Sequence, residues 1–236
     1  MSFHHSPKIV TNGLILCLDA ANKKSYSGSG TIWQDLINLN NATMVQSPTF
    51  NLNKQFNFDG GSITATGQVD SFEISDNNIL DEMTAITIEM WIKINTVQGT
   101  AAPNMLFSKR TANTNGYVGF FTSNGFVFRI GTSSPTQLSW TTTPITSAWQ
   151  QIVLTVGSSG GKIYINGIEV VDSPSYTGNF SNINTNASLL IGDVNPYNFG
   201  LFGFNGSFSI FRIYNKILNS FEILQNYNAL KGRFNL

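Results

Sequence analysis

Residues 85–95, AITIEMWIKIN, alternate without a break. Ile86, Ile88, Met90, Ile92 and Ile94 fall on one side of an extended chain, and Thr87, Glu89, Trp91 and Lys93 fall on the other. A helix would scatter both sets around its surface. A strand keeps them apart, because its side chains repeat every two residues. The segment therefore reads as a strand with two distinct faces, as in one layer of a sandwich. Two Asn-Gly pairs extend the pattern. Asn124-Gly125 sits within NGYVGFFTSNGFVFRIGTS (115–133), and Asn166-Gly167 separates KIYI from IEVV. Both residue types tolerate positive φ, which a two-residue hairpin turn requires. At the second pair the spacing predicts a type I′ turn, with Ile165 facing Ile168 and Ile163 facing Val170.

Shorter runs complete the series: GLILCLDA (13–20), FNFDGG (56–61), WQQIVLTV (149–156), SLLIGD (188–193) and GSFSIFRIY (206–214). At least nine strands at short spacing, with Gly and Asn turns between them, predict a β-sandwich or jelly roll rather than a parallel α/β sheet. Residues 1–12 read as a loosely held arm, and 13–236 as one domain. In the Gly-, Ser- and Asn-rich stretch that follows the first strand, Trp33 and Leu36 read as anchors to the body. One helix closes the chain. Asn219 can cap it with Glu222 as its reciprocal partner. Phe221, Leu224 and Tyr227, with Ile223 and Leu230, supply an apolar stripe, and Gly232 suits the stop. A helix of about ten residues is marginal alone, so it must pack on the sandwich.

Charge decides several classes of function. Only 11% of residues are charged, and the formal net charge is zero. Without a basic stripe, nucleic-acid binding lacks its main driving force. Polarity is carried instead by neutral groups, including 28 Asn. Such a surface suits neutral partners such as sugars, and it also fits an A/T-rich coding sequence. Cys17 is the sole cysteine, which excludes an intrachain disulfide and predicts a small buried hydrophobe. MSFHHSPKIVTNG has no apolar core of a signal peptide, so synthesis in a cytosol is expected. No apolar run approaches the roughly 20 residues of a membrane span.

The order of these segments resembles the laminin-G-like, concanavalin A-like jelly-roll superfamily over residues 13–231. The closing segment carries the likeness furthest, through Tyr214, Asn215, Leu218, Asn219 and Glu222. The resemblance implies an all-β fold: a two-sheet antiparallel jelly-roll β-sandwich with a short C-terminal helix. The block LDAANKKSYSGSGTIWQDL (18–36) is similar to the variant of this domain found in bacteriophage virion proteins and marine bacterial surface proteins. The superfamily includes lectins, adhesion modules, glycosidases and architectural domains, so the fold alone does not choose among them.

Catalysis finds little support in the residues. A glycosidase needs two carboxylates at a set separation, which on one strand means i and i+2 or i+4. Asp70 and Glu73, and likewise Glu169 and Asp172, are three apart and fall on opposite faces. His4 and His5, the only histidines, lie in the arm, where no triad can form. GSSGGK (157–162) precedes a strand rather than a helix and reads as a hairpin turn, not a phosphate loop. Many domains of the resembled family hold Ca²⁺ on loops. Here Asp193 and Asn195, with Asn113 or Asn115, are the candidate ligands, although amides replace most of the carboxylates that calcium prefers. An Asx-type turn explains Asp193 and Asn195 equally well. For sugar binding the candidates are Tyr117, Tyr176, Tyr197 and Phe199 beside Asp193 and Asn195, with VNPYNFGLFGFNG (194–206) as the richest patch.

These readings lead to a non-enzymatic structural protein of a tailed-phage virion, a decoration or appendage made in the host cytoplasm. Its expected partners are capsid or tail proteins, a host cell-surface glycan and copies of itself, with no nucleic acid and no membrane insertion. No cofactor is expected beyond Ca²⁺ as an option. A stand-alone glycan-binding adhesion module is the alternative, and a glycosidase the remote one.

Overall fold

The computed structural model describes residues 7–60, 69–97, 103–111, 115–131, 136–142, 144–158, 160–171, 183, 185–194 and 203–236. The first half carries β1 (Leu14–Asp19), β2 (Ile32–Trp33), β3 (Ala42–Val45), β4 (Thr49–Phe50), β5 (Phe56–Asp59), β6 (Ser71–Ile74), β7 (Ile86–Ile94) and β8 (Asn104–Thr111). The second carries β9 (Asn115–Thr122), β10 (Gly125–Gly131), β11 (Thr136–Trp140), β12 (Trp149–Gly157), β13 (Gly160–Ile165), β14 (Ile168–Glu169), β15 (Leu189–Ile191), β16 (Asn205–Tyr214) and helix α1 (Ser220–Leu230). All pairings among the named strands are antiparallel. One sheet runs β14-β13-β12-β7-β16-β5-β4, with β1 also paired to β16; the other runs β11-β10-β9-β8-β15-β6-β3-β2. The fold is the expected two-sheet antiparallel jelly-roll sandwich.

The alternation of β7 does what its sequence requires. Ile86, Ile88, Met90, Ile92 and Ile94 lie fully buried between the sheets, among Phe56, Phe72, Phe107 and Phe211. Its other face looks away from the second sheet. There Thr87, Glu89 and Trp91 are covered by the C-terminal segment: Leu218 donates its amide to Thr87, Asn226 donates to Glu89, and Phe234 stacks on Trp91 at 4.2 Å. Lys93, next in the row, is only half-buried.

Local turns follow the sequence with one shift. Asn166 and Gly167 both take positive φ, 52° and 79°, and Ile165 pairs with Ile168. In the other hairpin Thr122 pairs with Gly125, so Ser123 and Asn124 are the turn residues, one position earlier than expected. The stretch after β1 is tied down by Trp33, which is fully buried, and by Asp35, whose carboxylate accepts amides from Cys17, Ile37, Asn38 and Asn40. The described part of the N-terminal arm is also anchored. The Val10 amide donates to Asn226, and Tyr214 donates its hydroxyl to the Val10 carbonyl.

Strand β16 contains a bulge. Phe208 pairs with Ile92 and Ile210 with Trp91, leaving Ser209 as an extra residue. The bulge reverses the alternation, so that Phe208, Phe211 and Ile213 join the central core while Ile210 turns outward beneath Phe234.

Candidate functional site

Of the residues singled out by sequence, Tyr176, Asn195, Tyr197, Phe199 and Asn113 lie outside the described residues. Tyr117 is not a surface platform. It lies on β9 with its side chain between the sheets, fully buried, and its hydroxyl donates to the Leu80 carbonyl at 2.9 Å. Burial, reinforced by the nearby Asp81, pushes its phenol well above the ordinary tyrosine range. The strand period placed it inward, where an aromatic residue is core.

Asp193 follows Gly192, whose φ of +90° lets the chain turn tightly against Phe58. The Asp193 side chain points inward and is 4% exposed, and its carboxylate accepts the Val194 amide at 2.6 Å. Burial raises its pKa to about 6, while the amides of Val194 and Val69 act in the opposite direction. Asn115 cannot join it around one ion. Asn115 pairs with Thr111, whereas Gly192, beside Asp193, bonds the Leu106 carbonyl. Five residues of β8 separate those two levels, roughly 17 Å at strand rise. Asp193 and Asn115 therefore cannot share one ion, while Asn113 and Asn195 lie outside the described residues.

Two polar centres escape the sequence pattern. The Lys109 ammonium is buried against Asp81 at 3.0 Å and the carbonyls of Ala187 and Thr185 at 2.8 and 3.2 Å, with Asp76 as its second carboxylate. Two carboxylates only five residues apart converge here, and a lysine from β8 fills the space between them. The second centre is the Glu89–Arg212 ion pair under α1, at 3.4 Å and nearly solvent-free. Glu89 also accepts from Trp91, Gln151 and Asn226 at 3.3, 2.9 and 2.8 Å. Among the described residues no group of three or more His, Cys, Asp or Glu is placed to hold a metal ion.

The open chemistry lies where the C-terminal segment stops covering the sheet. Trp149, Lys93, Ser207 and Asn57 form one cross-strand row over β12, β7, β16 and β5. Above this row is a cleft of about 310 Å³, lined by Trp149, Lys93, Asn53, Gln55, Arg233 and Asn235 and floored by Phe234. The half-buried Trp149 ring is braced by Phe234, with ring centroids 4.9 Å apart, and the Lys93 ammonium lies 6.0 Å from its centre. Gln55 is oriented by hydrogen bonds to Asn57 and Ser207 at 3.0 and 2.9 Å. Arg233 is held by Asp19 at 2.7 Å and by the bulge residue Ser209 at 2.5 Å.

A second, larger cleft of about 520 Å³ lies across the β4–β5 hairpin. Its lining includes Tyr26 and Phe50, whose rings are 4.8 Å apart, with Lys23, Asn51, Leu52 and Lys54 at its edge. Hairpin residues alternate between the clefts: Leu52 and Lys54 line one, Asn53 and Gln55 the other. Almost none of these residues stands out in sequence, because five separate segments supply them. The one signal was Lys93, the last outward residue of β7.

No curated protein matches the chain in sequence. Solved structures match its fold. Trypanosoma rangeli sialidase in complex with sialic acid aligns over 98% of this chain and 36% of its own, with a TM-score of 0.69 and 14% identity. A botulinum neurotoxin type C structure, described with two ganglioside molecules in cell entry, aligns over 92% of this chain and 51% of its own, at 0.67 and 19%. The botulinum neurotoxin serotype C1 binding domain gives 0.66 and 19%, over 92% and 52%. The chain thus spans about a third of the sialidase and half of the toxin chains, and at such identities the likeness is one of fold. A family model of the laminin-G type, described as the concanavalin A-like lectin/glucanases superfamily, matches residues 66–224. That span runs from just before β6 into the closing helix α1, about two thirds of the chain, and by it the chain belongs to the concanavalin A-like lectin/glucanase superfamily.

Proposed function

We propose that this chain is a non-enzymatic carbohydrate-binding module whose sugar sits in the Trp149 cleft. The arrangement of that cleft carries the reading. A braced indole offers an apolar face to the C–H side of a pyranose, and Asn53 and Asn235 flank it with amides that both donate and accept, while the Gln55 N–H groups are already engaged by Asn57 and Ser207. The cleft is mostly polar, with the indole and Phe234 as its apolar surfaces, a combination that suits a hydroxyl-rich ligand. The fold neighbours include a sialidase in complex with sialic acid and a toxin described with gangliosides, which supports a glycan as the ligand class.

A glycan array probed with the whole chain, followed by calorimetry on the best binder, tests this. Trp149→Ala should weaken binding by about 2 kcal/mol, roughly thirtyfold, as expected for an aromatic anchor. Retention of no glycan, or full affinity in the variant, would remove the reading. The finer setting, an appendage on a phage virion, is supported by the likeness of residues 18–36 to domains of virion proteins. Mass spectrometry of purified particles checks it, and absence of the chain from them would count against it.

A further inference from the structure

We infer that the two clefts form one site for a carboxylate-bearing oligosaccharide, built from uronic or sialic acid units, that crosses the β4–β5 hairpin. This rests on the carbohydrate-binding reading and specifies the sugar. The chain as a whole is neutral and sparsely charged. The two clefts are neither. Lys23 and Lys54 line one, Lys93 and Arg233 line the other, and no Asp or Glu is among the described residues of either lining. The Asp19 carboxylate, next in sequence to Ala20 of the larger cleft, is engaged by Arg233 and by the Ala21 amide. Among the described residues, Lys23, Lys54 and Lys93 pair with no carboxylate. Three ammonium groups are thus left to act on a ligand. Concave walls of one sign concentrate the field on whatever enters.

Geometry joins the two halves. Arg233 stands between them, since its Asp19 partner is followed in sequence by Ala20 and Ala21 of the larger cleft. Asp19 and Ser209 fix the guanidinium and use only some of its five donors, so it is positioned before any ligand arrives. Lys54 takes a left-handed φ of 59°, and its amide bonds back to the Asn51 carbonyl. This tight turn puts Lys54 and Asn53 on opposite sides of one narrow ridge. Each cleft then pairs an aromatic surface with cations: Trp149 with Lys93 and Arg233, and Phe50, backed by the buried Tyr26, with Lys23 and Lys54. An apolar pyranose face bearing a carboxylate at its edge matches that pairing twice.

Calorimetry of the full chain with oligogalacturonate and with α2,8-linked oligosialate, each beside its carboxyl-reduced form, decides the matter. Poly-L-glutamate serves as a polyanion without sugar. Binding of at least one acidic oligosaccharide, about tenfold or more tighter than its reduced form, is expected, and the one that binds identifies the acid. Affinity should fall with added salt. Lys23→Gln with Lys54→Gln, and Lys93→Gln separately, should each cost about tenfold and flatten the salt dependence, with thermal stability unchanged because none of the three holds an ion pair among the described residues. Equal binding of acidic and reduced forms, or unaffected lysine variants, would overturn the inference and leave the carbohydrate reading in place. Equal binding of polyglutamate would overturn it in favour of general polyanion attraction. Binding of no sugar, acidic or reduced, would overturn both.

Discussion

Glu89 shows how far one residue's role can depart from its place in a pattern. In sequence it is the polar half of an alternation. In the fold it is the acceptor at the centre of a buried network that ties β7 to β12, β16 and α1. Burial alone would lower the pKa of Arg212, but the Glu89 carboxylate, with Cys17 and Tyr214, more than reverses this and keeps the guanidinium charged. Cys17 is buried as expected, and burial pushes its thiol up while Arg212 pulls it down. Asp193 gives a prediction at this scale. Its pKa is raised to about 6, so the native state holds its proton more tightly than the unfolded chain does. The associated stability is therefore complete below about pH 4 and is lost as pH rises through 6. The difference amounts to about 3 kcal/mol from the size of the shift. In urea titrations across pH 4 to 7, Asp193→Asn should lose this decline, and an unchanged slope would show that Asp193 does not carry it. The burial of Tyr117 and Asp193 was not legible in sequence. Loop-like neighbours made both look exposed, and their surroundings come from strands far along the chain.

Helix α1 was found through its chemistry and misread through its face. The capping box is present, with the Glu222 amide donating to Asn219 and the Asn219 amide donating to Glu222. The stripe is rotated from expectation. Phe221 is 82% exposed and Leu224 is 42% exposed, while Ile223 and Asn226 are buried and Tyr227 and Leu230 pack beside them. The reason lies in the surface beneath. An apolar stripe presumes an apolar partner, whereas the outer face of the sheet presents Glu89, Arg212 and Tyr214. A polar residue must meet them, and Asn226 does so with hydrogen bonds to Glu89, Tyr214 and Val10. The stop also differs from expectation. Gly232 lies inside a 3₁₀ turn, Lys231–Phe234, and Asn235 takes the left-handed position at its end. Asn226→Leu, which fills the volume and strands those partners, should cost about 2–4 kcal/mol in chemical denaturation. Phe221→Ser should stay within about 0.5 kcal/mol. The reverse order would restore the simple apolar stripe. The bulge at Ser209 is the other feature hidden at this scale. Ile210 and Phe211 are both apolar, and nothing in the run itself says which of them turns inward.

At the scale of the whole molecule, architecture was legible and the site was not, for one physical reason. Period-two alternation, turn chemistry and strand order are local signals repeated many times, so they survive an error at any single position. The two clefts have no local signal. Their walls come from the stretch after β1, the β4–β5 hairpin, the end of β7, the start of β12 and the C-terminal turn, and a net charge of zero conceals the four cations that line them. The helix links the two levels. It covers the outer sheet face as far as Trp91, on which Tyr227 stacks, and the next row, which holds Lys93 and Trp149, is covered only in part, by Phe234. A ligand there should tie the C-terminal turn to the hairpin and stabilise the whole domain by mass action. At a hundred times its Kd the gain is about 2.7 kcal/mol. For a domain of this size that raises Tm by roughly 5–10 °C. Trp149→Ala should abolish the rise at the same ligand concentration. Hydrogen exchange locates the effect, because bound ligand should slow the amides of residues 51–55 and 231–236 beyond the global shift. Extra protection centred instead on residues 190–194 would move the site to the turn after β15. The exposed cations would then have to be explained as a solvated surface alone.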